Sequence, residues 1–348
     1  MKISSKTFGM LPNGNEAKLF TLENNNQVTV QITNYGAIIT SIETPDKNGE
    51  LTNVVCGFDK LEDYISDQYL GSYPYFGSII GRFGNRIANG KCLIDGKEFS
   101  GAINNGPNHL HGGLEGFDKK LWHAETFESD KEVGVKLSYT SPDGEEGYPG
   151  NLDVVCIYSL NNENELSIKY EAETDKTTLV NLTNHSYFNL TGGKEDIKNH
   201  DLVMTAKSMT ESVDAIPTGK IISVEGTEFD FSTKKKLGVG IATLENGYDD
   251  NYVLDNNAYK LIYVGTLGEE KSGRSMEVFT TQPGMQLYTG FWNPELIIDG
   301  EKKFGSYSGV AMETQHYPDS PNKPNFPSTE LKPGDKYNHQ TIYKFGLI

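Results

Sequence analysis

Leu152-Asp-Val-Val-Cys-Ile-Tyr-Ser-Leu160, followed by Asn161-Asn-Glu-Asn-Glu165 and Leu166-Ser-Ile-Lys-Tyr-Glu171, decides the fold class. The first run is long, apolar and β-branched, as a buried strand requires. The last alternates with period two, and the five polar residues between them read as the turn of a hairpin. The same grammar recurs outward in both directions. Gln27-Val-Thr-Val-Gln-Ile32 and Val135-Lys-Leu-Ser-Tyr-Thr140 alternate, and Asp46-Lys-Asn-Gly49, Asp95-Gly96 and Asp143-Gly144 supply turns. Helical periodicity is confined to one or two turns over Lys60-Leu-Glu-Asp-Tyr-Ile65. Strands without helices must bury their faces on one another, which predicts an all-β fold, a large antiparallel β-sandwich or barrel.

No change of composition, linker or fixed repeat divides the 348 residues, and the Pro-rich stretch 318–333 lies too near the end to separate domains. Residues 1–348 are therefore expected to form a single domain. The balance of 31 basic against 48 acidic residues gives a net charge of −17. That excludes a nucleic-acid partner held by Lys and Arg on phosphates, and disfavours an anionic membrane surface. Cys56, Cys92 and Cys156 are widely spaced and lack CxxC spacing, so neither a disulfide framework nor a structural zinc site is expected. With no secretory leader and no long apolar run in the sequence, a cytoplasmic location is the expectation.

Four segments hold the candidate chemistry. His109-Leu-His111-Gly-Gly113 has H-x-H spacing, which on a strand would aim both imidazoles at one face. No second Cys/His cluster completes a metal site, so a loop setting one histidine beside a small polar ligand is preferred, with a histidine merely hydrogen-bonded in a turn as the alternative. In Leu179-Val-Asn-Leu-Thr-Asn-His-Ser-Tyr-Phe-Asn-Leu190, period two puts Asn181, Thr183, His185 and Tyr187 on one face, which fronts either water or a polar pocket. Gly309-Val-Ala-Met-Glu-Thr-Gln315 sets Glu313 and Gln315 on one face, and a pocketed Glu313 would be a natural general base.

Gly77-Ser-Ile-Ile-Gly-Arg-Phe-Gly-Asn-Arg-Ile87 matches no phosphate loop. Its two arginines and Asn85 either bind hydroxyls or pair with structural carboxylates. Gly247-Tyr-Asp-Asp-Asn251 reads as a turn, and Gln282-Pro-Gly-Met-Gln286 as a turn entering a strand. Nucleophile signatures such as G-x-S-x-G are absent from the sequence. One base, one or two acids, several amides and many aromatic rings suit a carbohydrate.

Taken together, Gly81-Arg-Phe-Gly-Asn-Arg-Ile87, Leu110-His-Gly-Gly113, Thr183-Asn-His-Ser-Tyr-Phe-Asn-Leu190, Asp214-Ala-Ile-Pro-Thr-Gly219, Thr280-Thr-Gln-Pro-Gly284, Glu313-Thr-Gln315 and Pro324-Asn-Phe-Pro327 resemble the aldose 1-epimerase (galactose mutarotase) family. The blocks follow the family's order across nearly the whole chain. The resemblance implies a galactose mutarotase-like supersandwich with an open cleft, no cofactor and no metal. It also implies interconversion of the anomers of a free aldohexose such as galactose or glucose, a small-molecule partner serving hexose metabolism. Glu313 then matches the general base and His185 the general acid. His111 matches a second histidine near the ring oxygen, and Asn85, Arg86, Asp249 and Gln286 match residues that bind sugar hydroxyls.

The implied chemistry has Glu313 ionised against the C1 hydroxyl and His185 protonated at O5. Three departures from the family's pattern stand out: Gly84 where Ala is common, Asp250 where His is frequent, and His316 where Asn is usual. A monomer or weak homodimer is expected. Two other classes fit part of the inventory. A sugar-binding module needs the amides and rings but not a base, and a glycosidase needs two carboxyls about 5 or 6.5–9.5 Å apart.

Overall fold

A computed structural model describes residues 1–256 and 258–348. Among these, the hairpin of the opening quotation is strand Leu152–Asn161 paired antiparallel with Glu165–Thr174, with Leu160 opposite Leu166. These strands lie inside a nine-stranded antiparallel sheet. It runs in space from His123–Glu128 through Glu132–Ser141, the hairpin, Tyr337–Leu347 and Arg274–Thr280 to Ile262–Gly268, Asp201–Met204 and Lys235–Lys236. The C-terminal strand is thus inserted between the hairpin and Arg274–Thr280, with Ile168 opposite Thr341 and Val278 opposite Tyr343.

A second antiparallel sheet packs on the first. Its spatial order is Tyr187–Phe188, Val310–Gln315, Gly284–Tyr288, Asp249–Val253, Ser208–Val213 and Ile216–Ser223. A third, five-stranded meander, from Lys2–Met10 to Leu51–Asn53, packs on the strands at the His123–Glu128 side of the first sheet. All three share one apolar core containing Phe20, Val30, Leu160, Ile168, Leu287 and Met312. The architecture is a sandwich and not a barrel. Buried polar contacts tie the layers together: Tyr158 Oη donates to the Ala37 carbonyl at 2.6 Å and Tyr343 Oη to that of Met312 at 3.2 Å.

Val310–Gln315 is buried at every position. Val310 and Met312 enter the shared core, so Ala311, Glu313 and Gln315 point to the opposite face. That face is covered by loops, which is what makes it a pocket instead of a wetted surface. Helix is limited to short pieces such as Leu61–Tyr64, where the sequence suggested a turn or two, and Asp67–Ser72. No helix among the described residues is long and apolar enough to cross a membrane.

Candidate functional site

Three neighbouring strands of the six-stranded sheet form a lattice on the face that carries Glu313. Asp249, Tyr288 and Ala311 stand opposite one another in one row, with Tyr187 beside Ala311; Asn251, Gln286 and Glu313 form the next. Asp249 and Asn251 therefore lie on a strand, Asp249–Val253, and not in the turn that their composition suggested. A cavity of about 320 Å³ opens over this lattice and is lined by Glu313, His185, His111, Arg86, Asn85 and Asp249. It sits at the small end of ligand clefts. A larger cavity of about 530 Å³ lies between residues 52–59 and 302–308, apart from this group of acids and histidines.

Gln286 stands beside Glu313 on the same sheet face. Its Nε2 donates to Asp249 Oδ1 at 2.7 Å, which holds that carboxyl group in place. Six of the seven expected site residues line the cavity, and the seventh, Gln286, bonds to one of them.

The local backbone explains how distant segments supply these groups. The expectation that both imidazoles of His109-Leu-His111 share a strand face fails, because the strand is only His109–Leu110 and His111 is left-handed at φ +52°. His109 turns inward, where its ring nitrogens meet the Ala102 carbonyl at 2.9 Å and Tyr148 Oη at 2.7 Å. His111 turns to the cavity. Asn85 is left-handed too, at φ +65°.

The two arginines of the 77–87 segment also part company. Arg82 is buried and donates to Ser141 Oγ and to the carbonyls of Ser141, Pro142, Pro149 and Gly150, so it is structural. Its partners are carbonyls and hydroxyls where carboxylates were the alternative. Arg86 reaches the cavity, with Nε donating to Asn105 Oδ1 at 3.0 Å. The polar face Asn181, Thr183, His185, Tyr187 is wholly buried. Asn181 staples two loops, donating to the Gly84 carbonyl at 3.1 Å and accepting from the His316 amide at 2.9 Å.

His185 Nε2 lies 3.5 Å from Glu313 Oε1, both side chains buried. Burial raises the Glu313 carboxyl well above the ordinary range, and the negative charge of Asp249 adds to this while Arg86 opposes it. Burial brings His185 down to about 3, and pushes His111 well below its usual value, helped by His185 and Arg86. The shifts at Glu313 and His185 both favour the uncharged forms, a carboxylic acid beside a neutral imidazole. The forms expected in catalysis, Glu313 ionised and His185 protonated, are those that burial disfavours.

His111, His185 and Glu313 bring ligand-type atoms within 4.8 Å of one another. The donors do not suit a metal ion. His111 Nδ1 accepts the Asn85 amide hydrogen at 3.1 Å, so the neutral ring carries its proton on Nε2 and has no lone pair to offer the cavity.

Of the three departures, Asp250 alternates with Asp249 and so faces the other side of the sheet, where burial and Asp249 push its carboxyl up to about 7. His316 is buried away from the cavity with Nδ1 2.9 Å from Gln282 Oε1. A Cβ on Gly84 would lie 3.2 Å from the Asn181 carbonyl oxygen and from Gln315 Oε1, a tight fit. Sequence reasoning missed Tyr75 and Trp292 on the cavity wall. The cluster Tyr73-Pro-Tyr-Phe76 was the available signal for the first. Trp292 carried none beyond its rarity.

The family model for aldose 1-epimerase matches residues 18–344. A galactose mutarotase of Bos taurus is 43% identical over 352 positions, covering 100% of this chain and 99% of that protein. An aldose 1-epimerase of Escherichia coli is 33% identical, covering 98% and 99%. The crystal structure of a galactose 1-epimerase from Lactobacillus acidophilus superposes with a TM-score of 0.86 at 28% identity, over 99% of each chain.

Proposed function

Because the chain belongs to the aldose 1-epimerase family, and is an isomerase of that class, we propose that this cavity interconverts the anomers of free galactose or glucose, with Glu313 and His185 moving the protons. Ring opening requires a proton to leave the C1 hydroxyl while another reaches the ring oxygen O5. The C1–O5 bond then breaks to give the aldehyde, rotation about C1–C2 exposes its other face, and reclosure returns both protons. Neither a nucleophile nor a redox step enters this balance.

The observation that carries the reading is the 3.5 Å approach of His185 Nε2 to Glu313 Oε1 on the buried floor of the cavity. The pair holds one proton whether it is written as acid and imidazole or as carboxylate and imidazolium. Entry of the sugar changes which form is favoured. The C1 hydroxyl donates to Glu313 and stabilises its carboxylate, while O5 accepts from His185 and stabilises the proton there. The general base and general acid are thus created from the resting pair by one internal proton transfer. Each typically contributes a factor on the order of 10² to 10⁴. Arg86, Asn85 and Asp249 bind the remaining hydroxyls, and His111 donates from Nε2.

The same reading takes residues 1–348 as one domain, supported by a core that runs from Phe20 to Phe345. It takes the protein as a cytoplasmic monomer or weak dimer serving hexose metabolism.

Polarimetry of freshly dissolved α-galactose tests the assignment. Glu313→Gln keeps the side chain's shape and removes the base, and the catalysed rate is expected to fall by at least about 10²-fold. A folded Glu313→Gln protein with a near-normal rate overturns the role of Glu313.

A further inference from the structure

Two tyrosine rings stack on the His185 imidazole. Tyr187 is stacked on it with centroids 4.9 Å apart and planes 29° from parallel, and Tyr75 is stacked at 5.9 Å and 23°. We propose that Tyr75 and Tyr187 are positioning residues whose aromatic faces hold His185 and favour its imidazolium form during turnover. The inference rests on the reading of His185 as the general acid.

The two rings reach His185 by different routes. Tyr187 is fixed by the sheet, opposite Ala311 on the strand that carries Glu313, with Phe76 edge-on to it at 5.3 Å. Tyr75 is fixed by its backbone, which is left-handed at φ +60°, a conformation that an aromatic L-residue adopts only at a cost. That cost has no return in the core, because Tyr75 belongs to none of the apolar clusters among the described residues. Its ring contacts are instead Tyr73, His185 and His111, the last edge-on at 4.7 Å.

The chemistry follows from the charge distribution of an aromatic ring. Its face is electron-rich and attracts a cation, more strongly where water is excluded. Aliphatic walls of equal size would desolvate the imidazolium and give nothing back. Two stacked tyrosine faces oppose the burial penalty on the protonated ring and hold its plane so that Nε2 keeps its place beside Glu313 Oε1.

The test replaces Tyr75 with Phe and then with mono-, di- and trifluorinated Phe, which keep the shape while draining electron density from the face. Measured against the Phe variant, kcat for galactose should fall stepwise along the fluorine series, by about tenfold in all. KM should change much less than kcat. A flat series overturns the proposal, since a purely structural ring would not sense fluorination at constant shape. Tyr187→Leu should likewise lose more kcat than Tyr187→Phe. His185→Asn separates the two levels. If it is inactive and the fluorine series is flat, only the role of the tyrosines fails; if it retains a normal rate, the acid assignment fails and the role of the tyrosines with it.

Discussion

Asn85 and His111 lock each other: the Asn85 amide donates to His111 Nδ1 at 3.1 Å, and the His111 amide donates to the Asn85 carbonyl at 3.1 Å. Because a backbone amide can only donate, Nδ1 is an acceptor and the neutral ring's proton sits on Nε2. His111 therefore presents a fixed donor to the cavity, suited to an oxygen that gains negative charge as the ring opens. His111→Ala should lower kcat/KM by about 10²-fold, mostly through kcat, as loss of a preorganised donor does. A loss below threefold by polarimetry would show that Nε2–H does not face the reacting oxygen.

Gln286 donates to Asp249 Oδ1 at 2.7 Å. Gln286→Leu leaves Asp249 in place but unaimed, so sugar binding should weaken while the acid–base pair remains. KM for galactose is expected to rise about three- to tenfold with kcat within threefold, the loss of roughly one hydrogen bond. A kcat loss of 10² or more with KM unchanged would mean that Gln286 serves Glu313, its neighbour across the strand pair, instead of Asp249.

Much of this was legible beforehand, for identifiable reasons. The 152–171 hairpin reads directly because period two and a polar turn are local signals. Glu313 reads because Val310 and Met312 alternate with it. What could not be read is set by contacts distant in sequence. His109 and His111 differ only in a left-handed φ that closes against Asn85, 26 residues away. The charge state of His185 and Glu313 depends on how completely the loops cover one sheet face. No motif carries that information. Tyr75 escaped because its role is geometric and its neighbours in sequence are equally aromatic.

Acid should destabilise the protein well before its surface carboxylates are protonated. Burial brings His185 and His316 down to about 3 and His200 and His339 to about 4, and it also lowers His109 and His111. These six stay neutral in the fold while the unfolded chain protonates them below about pH 6.5. Their contribution is complete above that value and is lost as the pH falls towards 4. Four carboxyls raised chiefly by burial run the other way: Asp118 to about 6, Asp250 to about 7, and Asp63 and Glu313 upward. They favour the fold below about pH 4, and that contribution is lost as the pH rises through their raised values. The histidines outnumber them, so stability falls on acidification, by about 1.4 kcal/mol per pH unit for each excess proton that the unfolded chain binds. Urea midpoints at pH 7, 6 and 5 should decrease in that order, and a constant or rising midpoint contradicts the balance.

Sugar entry should be visible through a single tryptophan. The sequence has two. Trp122 is 1% exposed in the core, whereas Trp292 is 71% exposed on the cavity wall. The Trp292 amide donates to Tyr288 Oη at 2.9 Å, and Tyr288 rises from the same sheet face as Glu313, one row along. Trp292 therefore stands at the rim, about a tyrosine side chain above the floor where the protons move. A sugar seated on that floor changes the solvent around the indole without reaching Trp122. Equilibrated galactose should give a saturable change in tryptophan emission, with a blue shift as water leaves the exposed ring. Trp292→Phe should abolish the signal while the buried emission of Trp122 remains. A sugar-dependent change that persists in Trp292→Phe would place the bound sugar, or the motion it causes, away from this rim.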